Sequence, residues 1–472
     1  MTASTWLKRE TTSTGNQKTW TVSVWIRQAQ TDNKSKTIFS TDIEDSGTDY
    51  CSWSMEAGGI YKFINMVGSS LVTNYQSKTL FIDTTAWYHV VLRVDTTQGT
   101  EADRVRLYIN GNQQLAWDYS TTIGQNVDTG LWASTSIATF IGARHGSSSP
   151  NSWEGEMAHM HIIDGTSYGA DTFGEVDSTS GIWKPITSPS VTYGTNGAFL
   201  KFQDSAALGD DTSGNGNDYS LVGSGRQSVS TPHNKFPALN PRGTPAAYDT
   251  DTYILDSGTT FLGTTGTTRL SMIDMCFAGG NWYWEAKVEK EDAYGTFGVF
   301  LTDGAMAMKI FGHLGCLSRL STAHGSNGAV AYDVTNEEIS MGNSQSSYGP
   351  SISDGDIIMF AFNATSGKVW LGKNGTWFSA PGTSNVGDPA AGTNDSGKVL
   401  VNNDGELYSF YVGGQSSSST NREIYLNFGH GLFGTTAVSS ANSDAGGFGV
   451  FEYAVPTGFY ALCSKNIQDY GG

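Results

Sequence analysis

The sequence is poor in the residues that build long helices. Charged residues make up 15% of the chain, and no segment has the apolar spacing of an amphipathic helix of three turns. Proline is scarce, with 11 residues, whereas 58 glycines and 12% aromatic residues are typical of short strands joined by tight turns. The composition favours an all-β protein, and 472 residues leave room for two or three domains.

Positive charge and long apolar runs are also scarce. The formal net charge of −18 predicts no nucleic-acid partner, because a duplex would be repelled without a local basic patch. The start, MTASTWLKRE, has no apolar core of a signal peptide, and no stretch is long enough to span a membrane. We therefore expect no membrane insertion and synthesis in the cytoplasm.

Cysteine is rare and shows no metal-type spacing. The fold is expected to keep its cysteines as free, mostly buried thiols. They are Cys51, Cys276, Cys316 and Cys463.

Two similar strand patterns stand far apart in the chain. In 87–113, apolar residues alternate with polar ones on two strands that end at the turn Asn110-Gly111. In 355–378, an apolar strand is followed by a second strand and the turn Asn374-Gly375. Alternation of period two closed by Asn-Gly predicts a β-hairpin. Two such hairpins predict two similar sheet domains.

Residues 20–28 alternate in the same way and leave one aromatic residue on the polar side. Trp20, Val22, Val24 and Ile26 are expected to face a core, and the intervening residues to face water. Trp25 lies on that second face. Either a loop covers it, or it stacks on a ligand.

Two local patterns resemble parts of metal sites. His159 and His161 are expected to share the outer face of a strand, where they either ligate a metal or belong to an exposed surface. Asp211, Ser213 and Asn215 alternate before Gly216 and copy the first half of a calcium loop, but the closing glutamate is missing. This loop is either a run of turns or a weak calcium site, and we expect no other cofactor.

A domain boundary is predicted where prolines cluster. Pro232, Pro237, Pro241 and Pro245 lie close together in a stretch without strand patterning. We predict one sandwich at 1–222, a connector at 223–248 and a second sandwich at 249–472.

Several motifs carry a resemblance to known families. With TWTVSVWIR, AWYHVVLRVDTT, RVRLYINGNQ and GEMAHMHIIDG, the first half resembles the laminin-G-like, concanavalin-A-like jelly roll. With GNWYWEAKVE, GDIIMFAFN, KVWLGKNGTW, IYLNFGHG and VPTGFYALC, the second half resembles a SPRY domain. The sequence that joins them, GIWKPI…YGTNGAFLKFQDSAALGDDTSGNGNDYSLVG, is similar to the joint in virion proteins of tailed bacteriophages, notably marine and cyanobacterial ones. The resemblance implies two concanavalin-A-like antiparallel β-sandwiches in tandem, in a virion protein that contacts other virion proteins and forms a homo-oligomer, with a trimer favoured.

Such chains often carry an extra strand before the TWT strand. Here only MTASTWLKRETTSTGNQK precedes it. The first sheet is therefore expected to lack an edge or to borrow one from a neighbour.

The sequence favours binding over catalysis. Glu285, Glu289 and Glu291 come closest to the pair of catalytic carboxylates of a glycosidase. They alternate with aromatic core residues, however, and are expected to lie on an ordinary outward face of the sheet. We therefore predict no enzyme. The expected function is a tail-fibre or spike-type component on the virion surface that recognises host-surface glycans, and the alternative is a capsid decoration or head fibre.

Four residues are predicted to bind the glycan, beside polar loops such as 42–49 and 144–153. Aromatic faces suit sugar rings, although tryptophans in such positions equally serve as core. The four residues are Trp132, Trp153, Arg144 and His145.

Overall fold

The computed structural model describes the greater part of the chain. The described residues are 5–29, 34–42, 50–135, 137–144, 151–178, 180–240, 254–263, 269–289, 295–302, 328–341, 344–402, 405–414 and 422–472.

The chain forms two compact units, Met1–Gln227 and Ser228–Gly472. The boundary falls inside the stretch predicted as a connector, but residues 228–240 do not form a linker. Phe236, Ala238 and Leu239 are buried, and Leu239 donates its backbone N–H to Gly258 at 2.8 Å. The boundary precedes the first clustered proline, Pro232, and these apolar residues attach the stretch to the second unit.

The first unit consists of short strands, as alternation predicts. Its strands are β1 (Trp6–Glu10), β2 (Thr19–Gln28), β3 (Lys36–Asp42), β4 (Tyr50–Glu56), β5 (Ile60–Val67), β6 (Ser70–Ser77), β7 (Tyr88–Asp95), β8 (Val105–Ile109), β9 (Asn112–Gln113), β10 (Trp117–Thr121), β11 (Ala138–Ile141), β12 (Gly155–Asp164), β13 (Gly174–Val176), β14 (Trp183–Pro185), β15 (Ala198–Leu200) and β16 (Ser220–Val222). Single 3-10 turns occur at Glu101–Asp103 and Ala170–Thr172.

Two antiparallel sheets of the first unit enclose its core. Over the described residues, the larger sheet has the order β10-β6-β5-β4-β3-β11-β1-β16 and the smaller has β15-β12-β2-β7-β8-β9. Side chains from both sheets form one buried cluster, including Trp53 and Phe63 from the larger and Trp20, Val22 and Leu92 from the smaller. Their alternation along each strand is the predicted one.

The start of the chain forms the strand that was expected to be missing before the TWT strand. β1 pairs with β11 on one side and with β16 on the other. The expectation of a missing or borrowed edge was wrong, because the residues before the TWT strand form an internal strand.

The second unit repeats this design. Its elements are β17 (Ile254–Leu255), β18 (Thr260–Gly263), β19 (Arg269–Met272), β20 (Asn281–Glu289), β21 (Gly295–Leu301), β22 (Ala329–Asp333), β23 (Glu338–Met341), β24 (Ser344–Ser347), β25 (Ile357–Asn363), β26 (Lys368–Lys373), β27 (Thr376–Trp377), β28 (Tyr408–Gly414), β29 (Arg422–Asn427), β30 (Leu432–Phe433), β31 (Thr436–Ala437), β32 (Asn442–Ser443), β33 (Val450–Phe451), β34 (Tyr460–Ala461) and helix α1 (Ser464–Tyr470). A 3-10 turn spans Asp256–Gly258.

Its two main sheets also face each other across a core. Among the described residues the orders are β17-β18-β29-β20-β25-β26-β27, with β34 beside β20, and β19-β28-β21-β22-β23-β24. Trp284 lies near the middle of the core and stacks on Phe360 at 5.0 Å between ring centroids. The all-β prediction with two sandwiches in tandem is confirmed.

The two predicted hairpins have nearly the same turn. Asn110 and Gly111 have φ of 48° and 81°, and Asn374 and Gly375 have 50° and 85°. The side chain of Asn110 accepts the backbone N–H of His89 at 2.8 Å, and that of Asn374 accepts Ile357 N–H at 2.9 Å. Positive φ at both turn positions is the reason for Asn-Gly.

The face of β2 that was expected to be wet is covered. Thr21, Ser23, Trp25 and Arg27 are at most 3% exposed. A second apolar cluster, with Phe173 and further aromatic residues of 165–200, packs on this face. The covered alternative for Trp25 is the correct one, and these four side chains of β2 are shielded from water.

Among the described residues, no helix is long and apolar enough to cross a membrane. The three described cysteines are free; Cys51 and Cys463 are buried and Cys276 is partly buried, and Cys316 lies outside the described residues.

Candidate functional site

Trp132 belongs to the core and not to a binding surface. Its side chain is 0% exposed and lies in the main cluster of the first unit. Its backbone has φ of 52°, and the Cβ position of Gly15 is only 2.7 Å from Cε3 of the indole. The prediction of a sugar-binding role was wrong because a turn directs this ring inward.

Trp153 is half-buried and packs against the same core. Its backbone N–H donates to Gly142 at 2.7 Å, which fixes it just before β12. The structure therefore favours the core alternative for Trp153 also. His145 lies outside the described residues.

The Asp211 loop is held together by its own hydrogen bonds. Oδ1 of Asp211 accepts the N–H groups of Phe199 and Ser213, each at 2.8 Å. Oδ2 accepts Ser213 Oγ–H and Asn217 N–H, both also at 2.8 Å. Asn215 donates Nδ2–H to Gly194 and Gly197. Asp211 and Ser213, two residues of the predicted half-motif, are thus hydrogen-bonded to each other. The third, Asn215, donates its amide N–H groups to backbone carbonyls.

Arg144 lines a polar cleft of about 140 Å³ on the outer face of the larger sheet of the first unit. Ser52, Ser54 and Glu56 line it because they alternate with core residues of β4. Thr37 of β3 pairs with Ser54 on one side, and Lys62 of β5 pairs with it on the other. Adjacent strands therefore place these groups side by side.

One hydroxyl in the cleft is buried without a protein partner. Thr37 is 1% exposed, and its Oγ1 has no hydrogen-bond partner among the described residues. A buried hydroxyl normally bonds to protein or water. Thr37, a residue of the cleft lining, therefore has a hydroxyl whose hydrogen-bonding capacity is unused within the described protein.

Charges in the cleft are arranged around Glu56. Its Oε1 accepts Ser35 Oγ–H at 3.0 Å and Ser54 Oγ–H at 2.8 Å, and Lys62 Nζ lies 3.9 Å away. The guanidinium of Arg144 instead lies over the ring of Tyr50, with Cζ 4.1 Å from the centroid. Stacking fixes the Arg144 plane and leaves its N–H groups able to donate to a ligand.

Arg144 is positioned by the end of β11. Gly142 donates its N–H to Ile38 at 2.9 Å, and Ser40 Oγ–H bonds to Ala143 O at 2.8 Å. These bonds join the residues just before Arg144 to β3, the strand that carries Thr37.

Ser23 and His89 form a buried pair that superficially resembles a catalytic dyad. Nε2 of His89 lies 2.9 Å from Ser23 Oγ, but Nδ1 accepts the indole N–H of Trp183 at 3.0 Å. The proton of the neutral ring is thus on Nε2, so His89 donates to Ser23 and cannot accept its proton. Burial, and next the charge of His159, lower the pKa of His89 to about 3.

The predicted outer-face pair of histidines is split by a β-bulge. The pairing of β12 with β2 shifts register between Ala158 and His161, and His159 has φ of 47°. His161 is 1% exposed and stacks on Phe199 at 3.9 Å, while Nδ1 lies 2.9 Å from Tyr193 Oη. The described residues contain no metal-type group of three His, Cys, Asp or Glu.

Glu285 does not lie on an ordinary outward face. It is 0% exposed, because an aromatic cluster that includes Tyr283 and Phe451 covers this side of β20. Its carboxylate accepts N–H from Glu452 at 2.9 Å and from Tyr453 at 2.8 Å. Burial outweighs these bonds and raises its pKa to about 7. Glu289 is partly exposed and pairs with Lys287.

Sequence reasoning missed most of the cleft. Alternation of Ser52, Ser54 and Glu56 with buried neighbours was readable in the chain, and it would have placed three polar groups on one face. The contributions of Thr37 and Lys62 depend on strand order and register, which no local pattern supplied.

One comparison with known proteins agrees with the fold of the first unit. Residues 2–168 match the model of the concanavalin A-like lectin/glucanases superfamily, Laminin_G_3. The comparison with curated proteins found no match.

Among solved structures, the chain is similar to laminin G-like domains LG4-5 of the mouse laminin α1 chain (11% identity, 93% of this chain and 90% of that one, TM-score 0.28). It is also similar to the SPRY domain of human HERC1 (13% identity, 40% and 96%, TM-score 0.27). A third is the CBM40 of a Ruminococcus gnavus IT-sialidase bound to α2,3 sialyllactose (13% identity, 35% and 94%, TM-score 0.26). The match over 2–168 shows that the first unit is similar to the concanavalin A-like lectin/glucanases superfamily, in agreement with its laminin-G-like, concanavalin A-like fold.

Proposed function

We propose that this chain is a non-enzymatic virion protein of a tailed bacteriophage, a fibre- or spike-type component that binds host-surface glycans in the polar cleft of the first unit. The observation that carries the proposal is the cleft itself, where the buried hydroxyl of Thr37 has no partner among the described residues. The match of 2–168 to the concanavalin A-like lectin/glucanases superfamily supports the glycan-binding part of the proposal.

The cleft offers the mixture of groups that a sugar requires. A sugar hydroxyl both donates and accepts, so its site must present donors and acceptors in fixed positions. Thr37 and Ser52 supply hydroxyls, Arg144 supplies donors, and Glu56 supplies an acceptor. These groups lie on hydrogen-bonded strands or are anchored to them, so little ordering is required on binding.

Hydrolysis of the glycan requires a second acidic group. Glycosidases of the usual kind hold two carboxyl groups on either side of the scissile bond. Glu56 is the carboxylate in the described lining of the cleft, and its Oε1 already accepts two hydroxyls. The described cleft therefore suits binding without bond cleavage.

The virion assignment rests on the resemblance of the joining sequence to phage proteins. A homo-oligomer, with a trimer favoured, would repeat one weak site several times. Repetition raises avidity by about 10²–10⁴ without a tight single site. The net charge of −18 suits an exposed and soluble surface.

The test has two arms, adsorption and location. Purified full-length protein is added to host cells before the phage, and phage adsorption is followed; electron microscopy of virions then locates the labelled chain. We expect competition and a label at the tail. A label on the head, no competition, and fragile heads in virions without the chain would show the capsid decoration instead.

A further inference from the structure

A second open groove lies in the second unit and encloses about 740 Å³. Its lining includes residues 347–350 and 379–383, together with Trp377 and Phe378. This volume is within the range of about 300–1,000 Å³ that small-ligand sites occupy.

The floor of the groove is aromatic and rigid. Tyr348 and Phe378 are buried and meet edge to face at 5.4 Å between centroids. Gly349 has φ of 96°, and a Cβ there would lie 2.5 Å from the Phe378 ring, so glycine lets the wall approach the floor. Phe378 is joined to β26 through its N–H to Leu371 at 2.9 Å.

The charged groups at the groove are neutralised within the protein. Lys373 is the cation in its described lining, and Nζ lies 3.1 Å from Asp356 Oδ2 and 2.9 Å from Ser351 O. The amide of Asn374 donates to the other oxygen of Asp356 at 2.7 Å. The lining contains no carboxylate among the described residues. A groove with balanced charge in a chain of net charge −18 does not favour a charged ligand.

Besides these charged groups, the lining contains a partly exposed aromatic ring and several hydroxyl groups. Trp377 is half-buried, and its ring packs edge to face on Tyr283 at 6.3 Å. Ser347 and Thr376 are exposed and belong to the same lining. An aromatic face packs on the C–H face of a sugar ring, and surrounding hydroxyls pair with the ring substituents.

We infer that this groove is a second saccharide site, which takes an uncharged oligosaccharide stacked on Trp377. It differs from the cleft of the first unit, whose lining carries Arg144, Lys62 and Glu56. The inference does not depend on the function proposed for that cleft, because the two sites share no residue and belong to different units.

The experiment titrates full-length protein with uncharged gluco-, galacto- and manno-oligosaccharides and follows tryptophan fluorescence and saturation-transfer NMR. We expect at least one probe to bind. Trp377→Ala should weaken it about tenfold through loss of the stacked face, and Trp377→Phe should retain most of the binding. Thr376→Arg, which places a bulky side chain at the rim, should also weaken it.

The matched control is Thr436→Arg, since Thr436 is likewise an exposed threonine that begins a two-residue strand of the same unit. It should bind as the parent does. If Trp377→Ala fails to fold, the binding of Thr376→Arg tests the inference, provided that its melting temperature equals that of the parent. The inference is overturned if no uncharged probe binds, or if Thr376→Arg and Thr436→Arg bind equally well.

Discussion

The indole N–H of Trp183 donates to Nδ1 of His89 at 3.0 Å, which joins the covering segment of the first unit to its smaller sheet. His89 in turn stacks on Trp25 at 4.9 Å. The second unit has an equivalent in Glu285, which accepts the N–H groups of Glu452 and Tyr453 from the chain that covers its sheet. In each unit, a buried ionisable side chain on a central strand is thus hydrogen-bonded to the segment that covers the sheet.

The first unit should lose stability in mild acid. Burial lowers the pKa of His89 to about 3 and lowers that of His161 well below its ordinary value of 6.5. The unfolded chain therefore takes up protons first, and the free energy of unfolding should fall as pH drops from 6.5 towards 3, by up to ~1.4 kcal/mol per pH unit for each histidine. The free energy of unfolding of the first unit is measured at each pH by denaturant titration, with pulsed hydrogen exchange of peptides from β7 as the readout.

The second unit should respond in the opposite direction. Burial raises the pKa of Glu285 from 4.5 to about 7, so the folded state holds a proton that the unfolded state has released. This contribution is fully present below pH 4.5 and is lost as pH rises to 7. Peptides of β20 in the same experiment should therefore show increasing stability from pH 6.5 to 4.5. A parallel loss of stability in both units over this window would contradict the account.

Glu285→Gln should destabilise the second unit. The amide group would face a backbone N–H that the carboxylate now accepts, which leaves a buried donor unsatisfied at a cost of ~1–3 kcal/mol. The substitution should also remove the contribution of Glu285 to the pH dependence of the free energy of unfolding of the second unit. Glu289→Gln on the same strand is the control, because it breaks a partly exposed pair worth ~0–1 kcal/mol. Urea denaturation compares them, and equal losses would refute the role of Glu285.

Gly111→Ala should cost more than Gly58→Ala. Both glycines have positive φ, of 81° and 78°. A Cβ on Gly111 would lie 2.9 Å from Trp183 Cζ3, whereas nothing lies within 4 Å at Gly58. Both variants should pay about 1–2 kcal/mol for the backbone, and crowding should add about 1–3 kcal/mol at Gly111. Equal thermal shifts would show that Trp183 does not pack closely on the turn.

Asp211 should matter more for stability than for metal binding. Asp211→Ala removes the acceptor of four hydrogen bonds and should cost about 1–3 kcal/mol, whereas the exposed Asp204→Ala should cost little. Any calcium affinity should be at the weak end, about 10⁻⁴–10⁻³ M. Calorimetry that shows submicromolar calcium binding, abolished by Asp211→Ala, would prove this wrong.

The sequence was sufficient for strands and hairpins because their information is local. Alternation placed Val22 and Val24 in the core, and Asn-Gly at 110–111 and 374–375 located both turns. The covered faces were not predictable in the same way. Residues 165–200 do not alternate between apolar and polar side chains, so they give no strand signal. A glutamate such as Glu285 is predicted to be exposed until the segment that buries it is known.

The candidate site was predictable only in part. Arg144 does line a cleft, but Trp132 was directed inward by a turn with positive φ that its residue type does not reveal. The rest of the cleft combines residues of β3, β4 and β5, so it depends on pairing between strands that no single-strand pattern encodes.

Glycan binding in the cleft of the first unit is tested most directly on an array of host-surface glycans, probed with the parent protein, Arg144→Gln and Arg226→Gln. Arg226 is the matched control, because it is an exposed arginine of the same unit outside the cleft lining. We predict that the parent and Arg226→Gln bind the same glycans and that Arg144→Gln loses about tenfold or more, as expected for a lost charge-assisted hydrogen bond. Equal binding by all three proteins, or no binding by the parent, would contradict the account.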